Sequence, residues 1–442
     1  MPIPDDPPPP VEPRALQFAR AVMNTANASL RLTEGLLWPQ TPRRTRKVGV
    51  FRVGMIGDVL ATLPALQTIR AAHPDAELVF ISSPGGRGRP GAAELLDGAP
   101  SVDRLLTYHA EDVAGPRGQW RLLRRLRRER FDRLYVLPQE KTGWTTELRN
   151  QCFLRAAGVR WARGFAVHNA RGLPRAWADA HHRATGFVPE WERHLDRLAE
   201  RAGLPSFGSP PPCAELPRDP ATLVRANALA SEHALDSGPL LVLAPGAKLA
   251  HKRWPTESFG AVAQAWRTMG GTVCVLGAPS ERDLATRVAD AAGGGVVDLC
   301  GTSDLLTSAE LLRRARALVT NDTGTMHLGA AVGTPLVAIF SGSNRPRVWD
   351  PYPSAQQVIL REPVGCAPCF DGPCAHDRAC LTRIRPERVL EALAEVSGTP
   401  SLRTQARRSS PPAGQLEPKS GKSIPAALPR RALAQGSRPE GR

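Results

Sequence analysis

The sequence contains no run of apolar residues long enough to cross a lipid bilayer, which needs about 20 consecutive residues as a helix. Its start, MPIPDDPPPP, has neither a basic segment nor an apolar core, so it predicts no signal peptide. The first loop after an apolar stretch, VGMIGDV, lacks the glycine-rich fingerprint of dinucleotide-binding proteins. These absences argue against a membrane-spanning protein, a secreted protein and a nicotinamide-dependent oxidoreductase. We therefore expect a cytoplasmic protein.

The composition fits a globular protein. The 442 residues are 42% hydrophobic and 23% charged, and this length predicts two domains plus tails. The net charge of +16 is uneven, because residues 401–442 hold nine basic and two acidic residues. That segment has little apolar periodicity, so we predict a disordered basic tail over 397–442. The remainder is less basic than the total implies, and we expect no nucleic-acid partner.

Apolar stretches alternate with helical patterns in two blocks. KVGVFR, ELVFISS, DRLYVLP and the weaker GVRWARGF are the predicted strands of the first block. LLVLAPG, TVCVLGAP, VVDLCG, ALVTND and PLVAIFSG, which closes the run, are those of the second. This alternation predicts two doubly wound α/β units with a ligand in the cleft between them. We assign a tail and helix to 1–46, a first domain to 47–210 and a second domain to 211–396, separated by a Pro-rich break at 205–220.

An aspartate follows the first predicted strand, in VGMIGDVLATLPAL at 53–66. Asp58 has two interpretations: it caps the next helix, or it is a base aimed into the cleft. Gly54 and Gly57 in the same loop would let substrates approach its carboxylate. The loop alone leaves both interpretations open.

Cations crowd the loop APGAKLAHKRWP at 244–255, which follows the first strand of the second block. Gly246 and Ala247 are small enough for a ligand to reach the backbone. Lys248, Lys252 and Arg253 at the carboxyl edge of a strand would suit a phosphate. A solvated basic loop is an equally good interpretation of this segment alone.

The segment TNDTGTMHLGAA at 320–331 predicts a helix that begins at an anion site. Asp322 is the predicted N-cap, and Thr323 and Gly324 open the helix with their N–H groups pointing outward. His327 lies near the first turn. The alternative is a well-capped helix with a partly buried histidine, and this segment alone slightly favours it.

The three segments together resemble the heptosyltransferase-like glycosyltransferases, the family that includes the lipopolysaccharide core heptosyltransferases. The matching stretches are GDVLATLPAL at 57–66, PGAKLAHKRWP at 245–255 and TNDTGTMHLGAAVGTPLVAIFSGS at 320–343. The resemblance covers about 47–395 of the chain. It implies a GT-B fold of two Rossmann-like domains that face a central cleft, with an ADP-heptose-type donor in the second domain. It also implies a glycan or glycolipid acceptor in the first domain, and inversion at the anomeric carbon.

The resemblance also implies roles for particular residues. Asp58 would take the proton of the acceptor hydroxyl, and Lys252 would contact the diphosphate of the donor. The other implied donor-binding residues are Gly246, Ala247, Arg253, Asp322, Thr323, Gly324, His327 and, as a looser match near the ribose, Glu281. No carboxylate cluster with metal-ligand spacing lies near these motifs. We therefore expect cations and a helix dipole to neutralise the leaving group, with no cofactor in catalysis.

Other functions stay open at this point. One is the same chemistry with a different nucleotide-sugar or with an acceptor outside lipopolysaccharide synthesis. Another is a catalytically silent GT-B binding protein, which the joint presence of Asp58, Lys252 and Asp322 argues against. A nicotinamide oxidoreductase ranks third, because the first loop lacks the glycine fingerprint.

An arginine-rich helix is predicted at QWRLLRRLRRERF, residues 119–131. Trp120, Leu123 and Leu126 would form its apolar stripe, with six arginines over the remaining surface. An ordinary solvated helix face is the favoured interpretation. The alternative is peripheral docking on an anionic membrane, which would suit a lipid-linked acceptor at the inner face of the membrane.

A cysteine cluster occupies residues 366–380, where Cys366, Cys369, Cys374 and Cys380 lie within fifteen residues. Four thiolates at this spacing could hold a structural Zn²⁺, and reduced packing cysteines are the alternative. The cluster is far in sequence from the donor motifs, so we assign it no catalytic role.

Overall fold

The structure, a computed structural model, describes residues 13–139, 142–167, 188–205, 213–343, 345–369, 374 and 376–409. Within these residues the first sheet has five parallel strands in the order β3-β2-β1-β4-β5. They are β1 (Lys47–Val53), β2 (Glu77–Ser83), β3 (Arg104–Thr107), β4 (Arg133–Val136) and β5 (Ala162–Arg163). Helices cover both faces of this sheet, which explains why β1 and β2 read as continuous apolar runs.

The helices of the first half are α1 (Pro13–Leu37), α2 (Ile56–Leu60), α3 (Leu63–Ala72), α4 (Ala93–Leu96), α5 (Gly115–Glu129), α6 (Trp144–Ala156) and α7 (Glu190–Ala202). The N-terminal helix α1 packs on α6 and on the edge of the sheet. There the Trp38 indole donates to the Val159 carbonyl at 2.8 Å, and Arg201 pairs with the buried Glu34 at 2.7 Å. Residues 13–46 are therefore part of the first folded unit.

The second sheet, within the described residues, has six parallel strands in the order β11-β10-β9-β6-β7-β8. They are β6 (Leu240–Ala244), β7 (Thr272–Val275), β8 (Val297–Asp298), β9 (Ala317–Asn321), β10 (Leu336–Phe340) and β11 (Gln357–Arg361). The helices are α8 (Pro220–Glu232), α9 (Thr256–Thr268), α10 (Arg282–Ala291), α11 (Leu305–Arg314), α12 (Gly324–Ala331), α13 (Ala379–Thr382), α14 (Pro386–Ser397) and α15 (Ser401–Ser409). No described helix is both long and apolar enough to cross a membrane.

Two edge strands depart from the sequence prediction. The prediction that PLVAIFSG closes the second run is wrong, because β11 pairs in parallel with β10. The sequence analysis also missed β3, which pairs with β2. Both strands lie at a sheet edge and are short and partly exposed. They therefore lack the apolar run that marks a strand buried on both faces.

The prediction of a disordered tail from residue 397 is wrong for its first part. Helix α15 packs on α14, with Leu402 and Ala406 fully buried at an i, i+4 spacing. These are the only two strongly apolar positions between residues 401 and 409, too few for a periodic signal. Residues 410–442, and residues 206–212 around the predicted domain boundary, lie outside the described residues.

The packing of α15 gives a testable difference between two truncations. Removing residues 401–442 should lower the melting temperature, since Leu402 leaves the core, and Leu402→Ala alone should cost about 2–5 kcal/mol. Removing 410–442 should leave the melting temperature unchanged. Differential scanning calorimetry would measure both, with Arg403→Ala on the exposed side of α15 as the control. Equal melting temperatures for the two truncations would contradict the packing role of α15.

Candidate active site

A cleft of about 1100 Å³ lies between the two halves of the molecule. The first half contributes Met55 and Ile56 at the start of α2, directly after β1. The second half contributes the loops that follow the carboxyl ends of β6, β7 and β9. Of the predicted donor residues, those that line the cleft are Gly246, Ala247, Glu281, Asp322, Thr323 and Gly324.

Helix α12 begins in the wall of this cleft. Thr323 is its N-cap, because the Thr323 hydroxyl oxygen accepts the N–H of Thr325 at 3.1 Å. The prediction that Asp322 is the cap is therefore wrong by one residue. Gly324 is the first helical residue, so the unpaired N–H groups of the first turn lie at the cleft. This is an arrangement that attracts an anion.

Asp322 makes an ion pair instead of a cap. Its Oδ2 lies 2.7 Å from the Nζ of Lys252, and both side chains are mostly buried. The lysine of the loop after β6 and the aspartate after β9 thus lie together, although 70 positions separate them in the sequence. The pair brings one cation beside the start of α12.

Arg253 has a different position from the one predicted. Its Nε and Nη2 donate to the carbonyl of Ala247 at 3.1 and 2.9 Å. Arg253 is not part of the cleft wall, so its guanidinium holds the loop in shape. The buried amide of Asn321 does the same, since it donates to the Pro245 carbonyl at 2.7 Å and accepts the Trp254 N–H at 3.0 Å. The sequence analysis missed Asn321.

Glu281 lies directly against the loop after β6. A Cβ added at Gly246 would stand 2.0 Å from the Glu281 Oε1, so a larger residue here would displace the Glu281 carboxylate. The other carboxylate oxygen accepts the N–H of Ala278 at 2.9 Å. A carboxylate fixed at the cleft wall in this way can accept hydrogen bonds from sugar hydroxyl groups.

Asp58 is held by two donors from its own half. It is the third residue of α2, and its Oδ2 accepts the N–H of Met55 at 3.1 Å. Its Oδ1 accepts Nη2 of Arg52 at 2.9 Å, and the fully buried Arg52 also pairs with Glu190 at 3.2 Å. Asp58 therefore does stabilise the start of α2, and its side chain keeps 23% exposure. The sequence analysis missed Arg52, although an arginine within a buried strand is an unusual signal.

The two halves meet at His327. A Cβ at Gly57 would lie 3.2 Å from the His327 Cδ2, and a Cβ at Gly324 would lie 3.2 Å from Ile56 Cγ2. Gly54 gives room to Asp58 itself, since a Cβ there would lie 2.2 Å from that of Asp58. Burial lowers the pKa of His327, against the opposing effects of the Asp322 and Asp58 charges. The imidazole is therefore neutral at pH 7, able to donate one hydrogen bond and accept another.

The described residues of the cysteine cluster include the predicted metal ligands. In the described part of the chain, no group of three or more His, Cys, Asp or Glu side chains is placed to hold a metal ion. Cys366, Cys369, Cys374 and Cys380 are free thiols, and burial together with the neighbouring cysteines raises the pKa of Cys369. The structural zinc therefore stays a prediction, and reduced packing cysteines stay the alternative.

Known proteins share this sequence and this architecture. Lipopolysaccharide heptosyltransferase 2 of Salmonella typhimurium is 25% identical over 369 residues, which is 78% of this chain and 97% of that protein. Lipopolysaccharide heptosyltransferase 1 of Pseudomonas aeruginosa is 26% identical over 375 residues, again 78% and 97%. The solved structure of a glycosyl transferase family 9 protein from Veillonella parvula has a TM-score of 0.62 at 19% identity, and covers 81% of this chain and 99% of its own.

A second structure agrees. ADP-heptose lipopolysaccharide heptosyltransferase II of Escherichia coli has a TM-score of 0.57 at 20% identity, and the match covers 80% of this chain and 99% of that one. These likenesses confirm the predicted GT-B arrangement of two parallel α/β units. The sequence model described as glycosyltransferase family 9 (heptosyltransferase) matches residues 119–379, more than half of the chain. The protein is therefore a member of glycosyltransferase family 9, the heptosyltransferase family.

Proposed function

We propose that this protein transfers a heptose from an ADP-activated donor to a hydroxyl group of a lipopolysaccharide-type acceptor, with inversion at the anomeric carbon. One observation carries the proposal: Asp58 of the first half lies near His327, the Lys252–Asp322 pair and the start of α12 of the second half, beside a cleft that Asp322, Thr323 and Gly324 line. The names of the relatives motivate the sugar and the acceptor class. We place the reaction at the inner face of the cell membrane.

The donor would occupy the second half of the cleft. Glu281, fixed beside Gly246, is suited to the ribose hydroxyl groups of a nucleotide. The N–H groups at the start of α12 and the ammonium of Lys252 would bind the diphosphate. As the bond from the sugar to the diphosphate breaks, negative charge grows on the leaving oxygen. Lys252 and the helix dipole would stabilise that charge most strongly in the transition state.

Asp58 would act as the base. Each carboxylate oxygen has two lone-pair positions, so the bonds from Met55 and Arg52 leave room for one from the acceptor hydroxyl. The acceptor oxygen would form its bond to the anomeric carbon while the bond to the ADP oxygen breaks. The hydroxyl proton would pass to Asp58, and ADP would leave. His327, neutral and opposite Asp58, would orient a hydroxyl of the transferred sugar.

The proposal predicts transfer without a divalent metal. Purified protein treated with EDTA, ADP-heptose and a heptose-accepting core oligosaccharide should release ADP and form product at an undiminished rate, measured by mass spectrometry of the acceptor. ADP release without acceptor is the control for hydrolysis. Loss of activity that Mg²⁺ restores would contradict the role of Lys252 and α12, and transfer only from UDP- or GDP-sugars would contradict the donor assignment. Metal analysis of the protein before EDTA treatment would test the cysteine cluster independently.

A further inference from the structure

The outer face of α5 combines several exposed arginines with one exposed tryptophan. Trp120, predicted in the buried stripe, is 58% exposed, while Leu126 is buried and Leu122 and Leu123 pack on the sheet. Residues three positions apart fall about 60° short of a full turn around a helix. Trp120 and Leu126 are two such steps apart, so their side chains face different sides of α5. The exposed indole is therefore surrounded by the arginines of the solvent side.

The arginines of α5 have few local counter-charges. In the part of the chain that the structure describes, no carboxylate pairs with Arg117, Arg121, Arg124, Arg127, Arg128 or Arg130. The one acid of the helix, Glu129, is already bound by Lys47 at 3.3 Å and by Arg104. At the end of the helix, a concave pocket of about 460 Å³ is lined by Arg124, Arg127, Arg128, Arg130, Gly158 and Arg160. Among the described residues, only Arg160 of this pocket has a carboxylate partner, Asp132 at 2.9 Å, so the surface strongly attracts anions.

Large apolar side chains are also exposed on helix α6, which contacts α5, and on helix α1, which contacts α6. Trp144 at the start of α6 is 39% exposed, and Leu32 and Leu36 of α1, which packs on α6, are 66% and 72% exposed. Arginine beside exposed tryptophan and leucine is the composition of elements that lie in a lipid–water interface. Indole rings sit at the headgroup level, and arginine pairs with lipid phosphate.

We propose that the outer face of α5, with Trp120 at its centre, docks the protein on an anionic lipid bilayer. This inference rests on the proposed function in one respect, since a lipid-linked acceptor gives such docking a purpose. Helix α5 starts at the carboxyl edge of the first sheet, where the cleft lies, and returns to the opposite edge. Docking along this face holds the first half, which we assign to the acceptor, at the membrane. A nucleic acid would engage the arginines but would leave the exposed leucines of α1 without a role.

The test uses the full chain, without donor or acceptor, and vesicles of phosphatidylcholine alone or with phosphatidylglycerol. Cosedimentation should show binding only to the anionic vesicles. The variant Arg121→Glu/Arg124→Glu/Arg128→Glu should lower the partition coefficient at least about tenfold, given about 1 kcal/mol per basic residue at such a surface. Trp120→Ala should weaken binding further. The matched control, Arg287→Glu/Arg383→Glu/Arg403→Glu, carries the same charge change on exposed positions of the second half and should bind nearly as the parent does.

The outcomes separate this inference from the proposed function. Equal losses in the two triple variants would show a non-specific charge effect and overturn the docking face. Unchanged vesicle binding in the α5 variant, or α5-dependent binding of an RNA oligonucleotide that exceeds vesicle binding, would overturn it too. Inorganic phosphate that abolishes binding at millimolar concentration, with salt of equal ionic strength inactive, would assign the arginine pocket to free phosphate and overturn the lipid. Transfer to a soluble acceptor should stay the same in all variants, and its absence from the parent would speak only against the proposed function.

Discussion

Asp58→Asn should reduce turnover by about 10²–10⁴-fold, the usual range for loss of a general base. Asparagine has the same shape, but it cannot take the proton of the acceptor hydroxyl. Affinity for ADP should stay unchanged in calorimetry, because the donor site belongs to the second half. The structure adds a cost in stability, since both oxygens of Asp58 accept hydrogen bonds and the amide can accept only one of them. We expect that loss to be about 1.5–3 kcal/mol, with the fold retained.

A matched variant separates catalysis from this stability effect. Asp112 also accepts the N–H of the residue three positions before it, His109, at 2.9 Å, and it also pairs with an arginine, Arg87. It lies in the first half, in the segment between β3 and α5, and its pair with Arg87 is exposed to solvent. Asp112→Asn should keep turnover within about threefold of the parent, as for an exposed surface substitution. If Asp58→Asn behaved like Asp112→Asn, Asp58 would be a structural residue and the base would lie elsewhere.

Lys252→Met should weaken ADP binding by about 1.5–3 kcal/mol, the value of a charged hydrogen bond, which is about 10–100-fold in the dissociation constant. The loss has two sources. The lysine no longer binds the diphosphate, and Asp322 loses the ammonium that lies 2.7 Å from its carboxylate. Calorimetry with ADP measures the sum. The ratio kcat/KM should fall further than the affinity, because charge on the leaving oxygen grows in the transition state.

Two further variants separate these two contributions to the loss of ADP affinity. Lys252→Met/Asp322→Asn removes the repulsion as well as the cation, so it should regain part of the lost ADP affinity. Lys248→Met removes an exposed lysine of the same loop that also lines the cleft, but Lys252 is the one that Asp322 holds beside the start of α12, so Lys248→Met should have the smaller effect. Equal effects of Lys248→Met and Lys252→Met would mean that only the general charge of the loop matters. Unchanged affinity in Lys252→Met would remove this residue from the site.

The sequence pattern predicted the strands that are buried on both faces of a sheet. It failed to predict the strands at the sheet edges. The central strands β1, β6 and β9 are continuous apolar runs, and each leads directly into a motif of the candidate site. The edge strands β3 and β11 escaped because partial exposure dilutes their pattern. The face of α5 was misjudged for a related reason. A stripe at intervals of three residues drifts around the helix, and only the position of the sheet decides which residues it buries.

Site residues were predictable where a motif carries them, and their pairings were not. Asn321, Asp322 and Thr323 are all residue types that cap helices, so sequence alone does not choose among them. The choice follows from Lys252, which engages Asp322 from 70 positions away. Arg52 lies in β1, outside the motifs that the sequence analysis used. Its partners Asp58 and Glu190 lie 6 and 138 positions from it in the sequence. Contacts of this kind exist only after both chain segments have folded into place.

Gly57 approaches His327 closely, and Gly324 approaches Ile56, so the two halves of the molecule are in direct contact at these points. These contacts bridge the two halves beside the place where the sugar would sit between Asp58 and the diphosphate. A methyl group at either glycine would press on its neighbour, so the two halves touch at this place. The donor would therefore enter through the open cleft beside this contact and not through it. If the two halves move relative to each other when ADP leaves, this contact is where the motion would be felt first, and the rate of that motion would limit turnover.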